Sequence, residues 1–261
     1  MLAAMASKRL TAVVTGATRG IGRAIALKFA EGEYVVWALG RNIGDLDRLK
    51  DEASRRGGDI RTLRVDVAER DEVMAACDAL LSEVGAPAVL INNAGIALSS
   101  PLTKTRPEDF DRVMAINAAA PFFFCRELIP AMAASTGGRV INIASTAALK
   151  GFKYTAAYCA SKHALLGLTR ALAIEFSRKN VTVNAVCPGW TETEMVSHSA
   201  KAISSATGRT VEEARRILTE MNPMARLIEP AEVAELCLFL ASPAAAAITG
   251  VAYPIDGGES A

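Results

Sequence analysis

The chain has 261 residues, 51% of them apolar, which is enough core for one large α/β domain. Its 29 Lys and Arg against 28 Asp and Glu leave a formal net charge of +1, so no overall field draws in nucleic acid or an anionic membrane, and any bound anion must be held by a local site. Five scattered cysteines (Cys77, Cys125, Cys159, Cys187, Cys237) without C-x-x-C spacing, joined by His163 and His198 alone, argue against a disulfide framework or a metal site and suit a reducing cytosol.

Residues 1–10 place Lys8 and Arg9 after a short Ala/Met run, the reverse of a secretory signal. Residues 10–15 are β-branched and lead into Gly16-Ala17-Thr18-Arg19-Gly20-Ile21-Gly22 and a helix-like stretch at 23–31. Strand, glycine loop and helix in that order turn backbone N–H groups and a positive helix end toward a phosphate, although G-x-x-x-G-x-G is not the G-x-G-x-x-G dinucleotide fingerprint. A second buried strand at 34–39 ends in Gly40-Arg41-Asn42. No acid stands there to accept from an adenosine ribose, and a guanidinium does; with Arg19 as a second cation, NADP(H) is favoured over NAD(H). The alternative is that Arg41 is a solvated loop charge.

A third strand at 61–65 ends at Asp66-Val67, and apolar residues at helical spacing (Val73, Cys77, Leu80, Leu81, Val84) follow. A fourth strand at 88–91 runs into Asn92-Asn93-Ala94-Gly95. Strands alternating with helices predict a parallel sheet covered on both faces, with ligands at the carboxyl ends of the strands. Residues 107–134 read as helical and interrupted by Pro121, with Asn117 just before the break. There a polar side chain or a loosened carbonyl faces inward, or the amide satisfies local backbone groups.

A fifth strand at 139–144 puts Ser145 at its carboxyl end, and the Ala/Leu-rich helix that follows carries Tyr158 and Lys162 four residues apart, on one face. A phenol with a pKa of about 10 is a poor acid/base near neutrality, and an adjacent ammonium lowers that value. The pair is a candidate acid/base; the bland alternative is chance spacing. A sixth strand at 181–186 ends in Cys187-Pro188-Gly189-Trp190-Thr191-Glu192-Thr193. Residues 194–228 are polar and partly helical, placed to fold over the strand ends as a lid. Pro230 opens a helix, and residues 250–255 form a seventh strand. Residues 236–255 carry no charge and reach the length of a membrane span, but Ser242-Pro243 and Gly250 break them into a helix end, a turn and a buried strand.

Taken together, Thr15-Gly16-x-x-x-Gly20-x-Gly22, Asn92-Asn93-Ala94-Gly95, Asn117, Ser145, Tyr158-x-x-x-Lys162 and Pro188-Gly189-x-x-x-Thr193 resemble the short-chain dehydrogenase/reductase family from about Leu10 to Gly258. The resemblance implies one doubly wound, Rossmann-type α/β domain over residues 1–261 with a seven-stranded parallel sheet, and a homo-oligomer, commonly a tetramer, built through the helices at 107–134 and 156–178. It implies that Tyr158 exchanges a proton with the substrate oxygen, that Lys162 lowers its pKa and binds the nicotinamide ribose, and that Ser145 holds the carbonyl. Asn117 would hold a water linking Lys162 to solvent. Cofactor contacts would come from Thr15, Gly16, Arg19, Gly20, Ile21, Gly22, Arg41, Asp66, Val67, Asn93, Ala94, Gly95, Pro188, Gly189, Thr191 and Thr193, besides Tyr158 and Lys162.

Locally, residues 140–146 and 183–189 look most like bacterial 3-oxoacyl and polyketide ketoreductases. That resemblance implies a small-molecule or thioester carbonyl substrate, carried on coenzyme A or acyl carrier protein, or else a cyclic, aromatic, polyketide or steroid ketone. Where carrier reductases have basic docking residues this chain has Thr136 and Lys179, half of the pair. Leu149, Phe152, Tyr154 and Trp190 are substrate-facing candidates beside Ser145, an aromatic lining that disfavours a polar sugar. A non-catalytic NADP(H)-binding regulator is the alternative of a different class, disfavoured because the serine, tyrosine, lysine and asparagine are all kept.

Overall fold

The computed structural model describes residues 9–32 and 34–261, and the reading of residues 1–8 as no secretory signal lies outside them. In its first half, β1 (Leu10–Thr15), α1 (Gly20–Ala30), β2 (Tyr34–Gly40), α2 (Ile43–Arg55), β3 (Asp59–Arg64), α3 (Arg70–Val84) and β4 (Val89–Asn92) alternate strictly. The second half runs through α4 (Pro107–Met114), α5 (Ala120–Ala134), β5 (Gly138–Ile143), α6 (Ala156–Phe176), β6 (Val181–Pro188), α7 (Glu194–Thr207), α8 (Val211–Glu220), α9 (Pro230–Ala241) and β7 (Ala252–Ile255).

The seven strands form one parallel sheet in the order β3-β2-β1-β4-β5-β6-β7. The chain enters at the centre, winds outward to β3, then crosses to β4 and winds the other way. This reversal opens a crevice at the carboxyl ends of β1 and β4, where ligands of doubly wound sheets bind. Period-two alternation divides the strand residues between two cores. Ala12, Val14, Val36 and Ala38 face α1, α2 and α9, whereas Val13, Trp37, Leu39 and Leu90 face α3, α5 and α6. Each wholly buried Leu, Ile or Phe stabilises the fold by about 1.5–3 kcal/mol.

Several elements differ from the sequence reading for physical reasons. Helix α1 begins at Gly20, so two of the three loop glycines lie inside its first turn. Helix α2, passed over above, is set by Asn42, whose side chain accepts from the Asp45 N–H, and by Leu46, Leu49 and Ala53 on one face. Pro121 interrupts the helix without ending it: its missing N–H and its ring disturb the regular bonding one turn upstream, where the chain forms a π-helical turn over Ala115–Ala119 that contains Asn117. The last strand, β7, is a half-exposed edge rather than a buried strand. The continuous helical stretch Pro107–Ala134 is long and apolar enough to cross a bilayer, but Phe124, Cys125, Leu128, Ile129 and Met132 bury its apolar side in the α3 core.

The 194–228 insertion folds as its own small hairpin. Helices α7 and α8 enclose Val196, Ala200, Ala214, Leu218 and Leu227, with Trp190 packed alongside. A reciprocal Thr210–Glu213 capping box starts α8, and a bridge between Thr191 and Ile228 closes the base.

Candidate active site

The glycine loop is shaped by close backbone approach. A Cβ on Gly16, which has φ +63°, would stand 2.8 Å from Ala94 Cα, and one on Gly22 would stand 2.3 Å from Asn93 Nδ2 and from the Gly16 carbonyl oxygen. Thr15 and Asn93 lock this contact. Thr15 Oγ1 accepts from the N–H groups of Asn93 and Ala94, both at 3.0 Å, and Asn93 Nδ2 donates to Thr15 O and Gly16 O at 3.0 and 3.1 Å. Thr15 Oγ1 and Asn93 Nδ2 therefore hold the loop to the end of β4. Above the loop, α1 starts with no side-chain cap on Arg19 and no acid in its first turn. Its orphan N–H groups have no partner among the described residues and lie in a glycine-lined cradle, which fits a dinucleotide pyrophosphate.

At the end of β2, Arg41 is exposed, with its guanidinium 3.8 Å from Asp66; Asp66 Oδ1 in turn accepts from the Ala68 N–H. Arg19 is also exposed and pairs with Glu194 at 2.8 Å, joining the glycine loop to the first residue of α7. Thr193 lies against the same loop, its Cγ2 3.1 Å from where a Gly20 Cβ would sit, while its hydroxyl donates to Thr191 O. Thr191 is buried and donates to Gly189 O. Val67, Gly95, Pro188 and Gly189 complete the same strand-end edge.

The titratable centre lies under β5 and α6. Lys162 is 4% exposed and donates through Nζ to Ile143 O at 2.9 Å, two residues before Ser145. Burial pushes its pKa down to about 8. Ser145 starts a short 3-10 turn, Thr146–Ala148, by accepting the Ala147 N–H at 3.1 Å. Its hydroxyl lies on the Tyr158 side of the centre, and the Tyr158 ring centroid is 5.8 Å from Lys162 Nζ. The expected lowering of the phenol by the ammonium is not what the structure gives. Burial pushes Tyr158 up and Ser145 acts against that, while Lys162 Nζ donates to the Ile143 carbonyl.

Asn117 sits inside the π turn and is fully buried. Its side chain accepts from Ile96 N and donates to Ile96 O, both at 2.9 Å, and to Ser161 Oγ at 3.0 Å. The amide is thus spent on local groups, and a Cβ on Gly95 would lie 3.3 Å from Asn117 Oδ1 and 3.5 Å from Lys162 Nζ, so the two residues share one wall. The irregular turn alters the backbone carbonyl pattern beside Lys162.

The substrate-side candidates separate. Leu149 packs on Ala144, Leu165 and Cys187, and Trp190 on the lid core. Tyr154 is half exposed at φ +65°, a left-handed conformation that a non-glycine residue adopts at a cost; Ser100 N–H donates to its carbonyl at 2.7 Å, and Lys153 Nζ lies 4.8 Å from its ring. Sequence reasoning missed three groups of the centre. Cys187 lies behind Ser145 and Lys162, its thiol raised to about 11 by burial. A buried relay of Asn92, Asn142 and Thr169 ties β4 and β5 to α6 with 2.8 Å bonds. Glu259 is buried beside Lys150. Lone Asn, Thr and Glu residues in a sequence carry no mark of such burial.

The chain matches a family model described as "Enoyl-(Acyl carrier protein) reductase" over residues 16–260. It is 36% identical over 256 residues to D-beta-hydroxybutyrate dehydrogenase of Cupriavidus necator, covering 95% of this chain and 96% of that one. With the 3-oxoacyl-(acyl-carrier-protein) reductase FabG of Thermotoga maritima it shares 33% identity over 246 residues, 94% and 96% of the two chains. A solved variant of actinorhodin polyketide ketoreductase with NADPH superimposes with a TM-score of 0.93 at 34% identity, covering 96% of this chain and 97% of the other. The chain belongs to the short-chain dehydrogenase/reductase family and is an oxidoreductase acting on the ketone/alcohol pair.

Proposed function

We propose that the protein is an NADP(H)-dependent reductase of a 3-oxoacyl thioester, with Tyr158 as general acid/base. The observation that carries this reading is the convergence of Ser145, Tyr158 and a buried Lys162 at the carboxyl end of β5, beside the glycine cradle. When bound in that cradle, the nicotinamide dinucleotide supplies the hydride. Tyr158 Oη gives a proton to the substrate oxygen in reduction and takes one in oxidation. Ser145 Oγ fixes that oxygen and donates to the charge developing on it. Lys162, ionised below about pH 8, provides positive charge within reach of the phenol and of the cofactor ribose. Asn117 holds the π turn that shapes the wall behind Lys162, where a water exchanges the proton with solvent.

Preference for the phosphorylated cofactor is supported by Arg41 and Arg19, both exposed at the strand-end edge with no acid at the end of β2, and by the NADPH in the ketoreductase structure. The substrate class is supported by the relatives. A 3-hydroxybutyrate, a 3-oxoacyl group and a polyketide share an oxygen on the third carbon of an acyl chain. A thioester is favoured over the free acid by the 3-oxoacyl-(acyl-carrier-protein) reductase among the relatives and by Lys150, whose ammonium is held by Glu259. Of the carrier-docking positions, Lys179 is exposed and Thr136 is neutral, which favours coenzyme A over acyl carrier protein.

The same reading has the protein act in the cytosol as a homo-oligomer, commonly a tetramer. Five free cysteines support the compartment. An open apolar groove of about 530 Å³ between α4, α5 and α6, lined by Met114, Phe122, Ala164 and Leu168, supports helix-to-helix assembly. The test of the function is a carbonyl panel followed by loss of reduced cofactor: acetoacetyl coenzyme A, its carrier-protein counterpart, acetoacetate, cyclic and aromatic ketones, quinones and sugars, each with NADPH and NADH. The expected result is the highest kcat/KM with acetoacetyl coenzyme A and NADPH. A preference for NADH, or for a sugar or quinone, would overturn it.

A further inference from the structure

After β7 the chain turns over residues 256–260, and this turn is pinned from within. Asp256 is 5% exposed and accepts from Gly258 N at 3.0 Å, Ser260 N at 2.9 Å and Ser260 Oγ at 2.5 Å. Gly189 N–H donates to Ile255 O at 3.1 Å, which sets the turn against the Pro188–Thr193 loop. The result is a buried Glu259 whose side chain is 3% exposed.

Two loops of the active centre meet at this carboxylate. On one side, Lys150 Nζ stands 3.5 Å from Glu259 Oε1 and donates to Glu259 O at 2.5 Å. Lys150 closes the turn that begins at Ser145, its N–H donating to Thr146 O at 3.1 Å. On the other side, a Cβ on Gly189 would fall 2.9 Å from Glu259 Oε2 and 2.9 Å from Asp256 Cβ, so only glycine lets the carboxylate approach the loop so closely. Neither carboxylate oxygen of Glu259 has a hydrogen-bond partner among the described residues. Burial pushes the carboxyl pKa up; Lys150 acts against this, Asp256 with it, and Thr146 lowers it slightly. An ionised carboxylate held this way costs stability instead of supplying it, so stability does not account for the arrangement.

We propose that Glu259 is a positioning residue for catalysis: wedged between Lys150 and Gly189, it sets the Ser145 loop at its working distance from the Pro188–Thr193 loop. This rests on the role of Ser145 proposed above. Nothing in the mechanism otherwise uses Glu259, and it touches none of the reacting groups. Its influence passes through Ser145.

The test is a double-mutant cycle in the full chain, with kcat measured on a ketone that the parent enzyme reduces with NADPH. Glu259→Ala is expected to lower kcat about tenfold and Glu259→Gln about threefold, with KM for NADPH within about twofold of the parent, because a small displacement of an orienting group is felt in the chemical step. Lys150→Met is expected to reproduce the Glu259→Ala loss. In a Ser145→Ala background, Glu259→Ala is expected to lower the residual kcat by less than about twofold, since the pathway it acts through is gone. Glu259→Gln is expected to melt no lower than the parent at neutral pH. Equal fold losses in both backgrounds, an unchanged kcat for Glu259→Gln, or a kcat loss that follows a drop in melting temperature would overturn the proposal. Should Glu259→Ala fail to fold, Glu259→Gln and Lys150→Met carry the same cycle. Ser145→Ala with undiminished turnover would instead remove the reading of Ser145 on which the proposal stands.

Discussion

The floor of the site and its lid are built by different physics. On the floor, Thr15 and Asn93 bind each other across the ends of β1 and β4, Lys162 is held to Ile143 O at the end of β5, and Asn117 is held to Ile96 and Ser161, so the positions of all four follow from buried or half-buried contacts. In the lid, α7 and α8 share a five-residue core, and their charged contacts, Arg19 with Glu194, Arg215 with Glu192 and Arg216 with Glu220, are largely exposed. Such pairs contribute about 0–1 kcal/mol each. This contrast supports the proposed division of labour, with proton transfer assigned to the floor and substrate choice to the lid.

The strongest way to break that comparison is in the floor. Tyr158→Phe is expected to lower kcat about 10³-fold or more while the affinity for NADPH, read by quenching of nicotinamide fluorescence, stays within about threefold. Lys162→Met is expected to cost about 10²-fold in kcat and yet to be at least as stable at pH 7. The sign follows from its depressed pKa. A lysine shifted from 10.5 down to about 8 burdens the folded state wherever it is ionised, and that burden is lost as pH rises from about 8 to 10.5. Melting curves of the two proteins should therefore converge over that window; a gap that widens with pH would contradict the assignment.

Cofactor choice sits between the two regions. Arg41→Ala is expected to weaken NADPH about 10- to 100-fold, the worth of a charge-assisted bond to a phosphate, and to leave NADH within about twofold. Titration of both cofactors checks it, and equal losses would remove the phosphate assignment. The smallest effect is expected at the hinge between floor and lid: Glu194→Ala should change KM by less than about threefold, and the change should vanish in high salt.

How much of this was legible in the sequence also divides along the floor and the lid. Seven strands, the glycine cradle and the Tyr158–Lys162 pair follow from periodicity and spacing, which local backbone geometry obeys directly. Pro121 marks an irregularity around Asn117 but not its form; that it is a π turn with the amide bound to Ile96 and Ser161 depends on tertiary packing. Trp190 and Leu149 are partly buried and pack against the lid core and the β5–α6 core, contacts that depend on tertiary structure and are not visible from their proximity to the motifs. Glu259 was invisible for the same reason. The direction of the Tyr158 shift is not visible in the sequence because spacing places Lys162 near the phenol but does not show how deeply the phenol is buried.

The most direct test of the division of labour is the carbonyl panel repeated with one floor variant and one lid variant. The account predicts that Tyr158→Phe lowers kcat by a similar large factor on every ketone the parent reduces. Trp190→Ala is predicted instead to keep kcat within about fivefold on the best substrate while shifting KM among acyl thioesters, cyclic and aromatic ketones by about tenfold. A Tyr158→Phe enzyme that keeps kcat within tenfold of the parent, or a Trp190→Ala enzyme that loses kcat uniformly with KM unmoved, would contradict it.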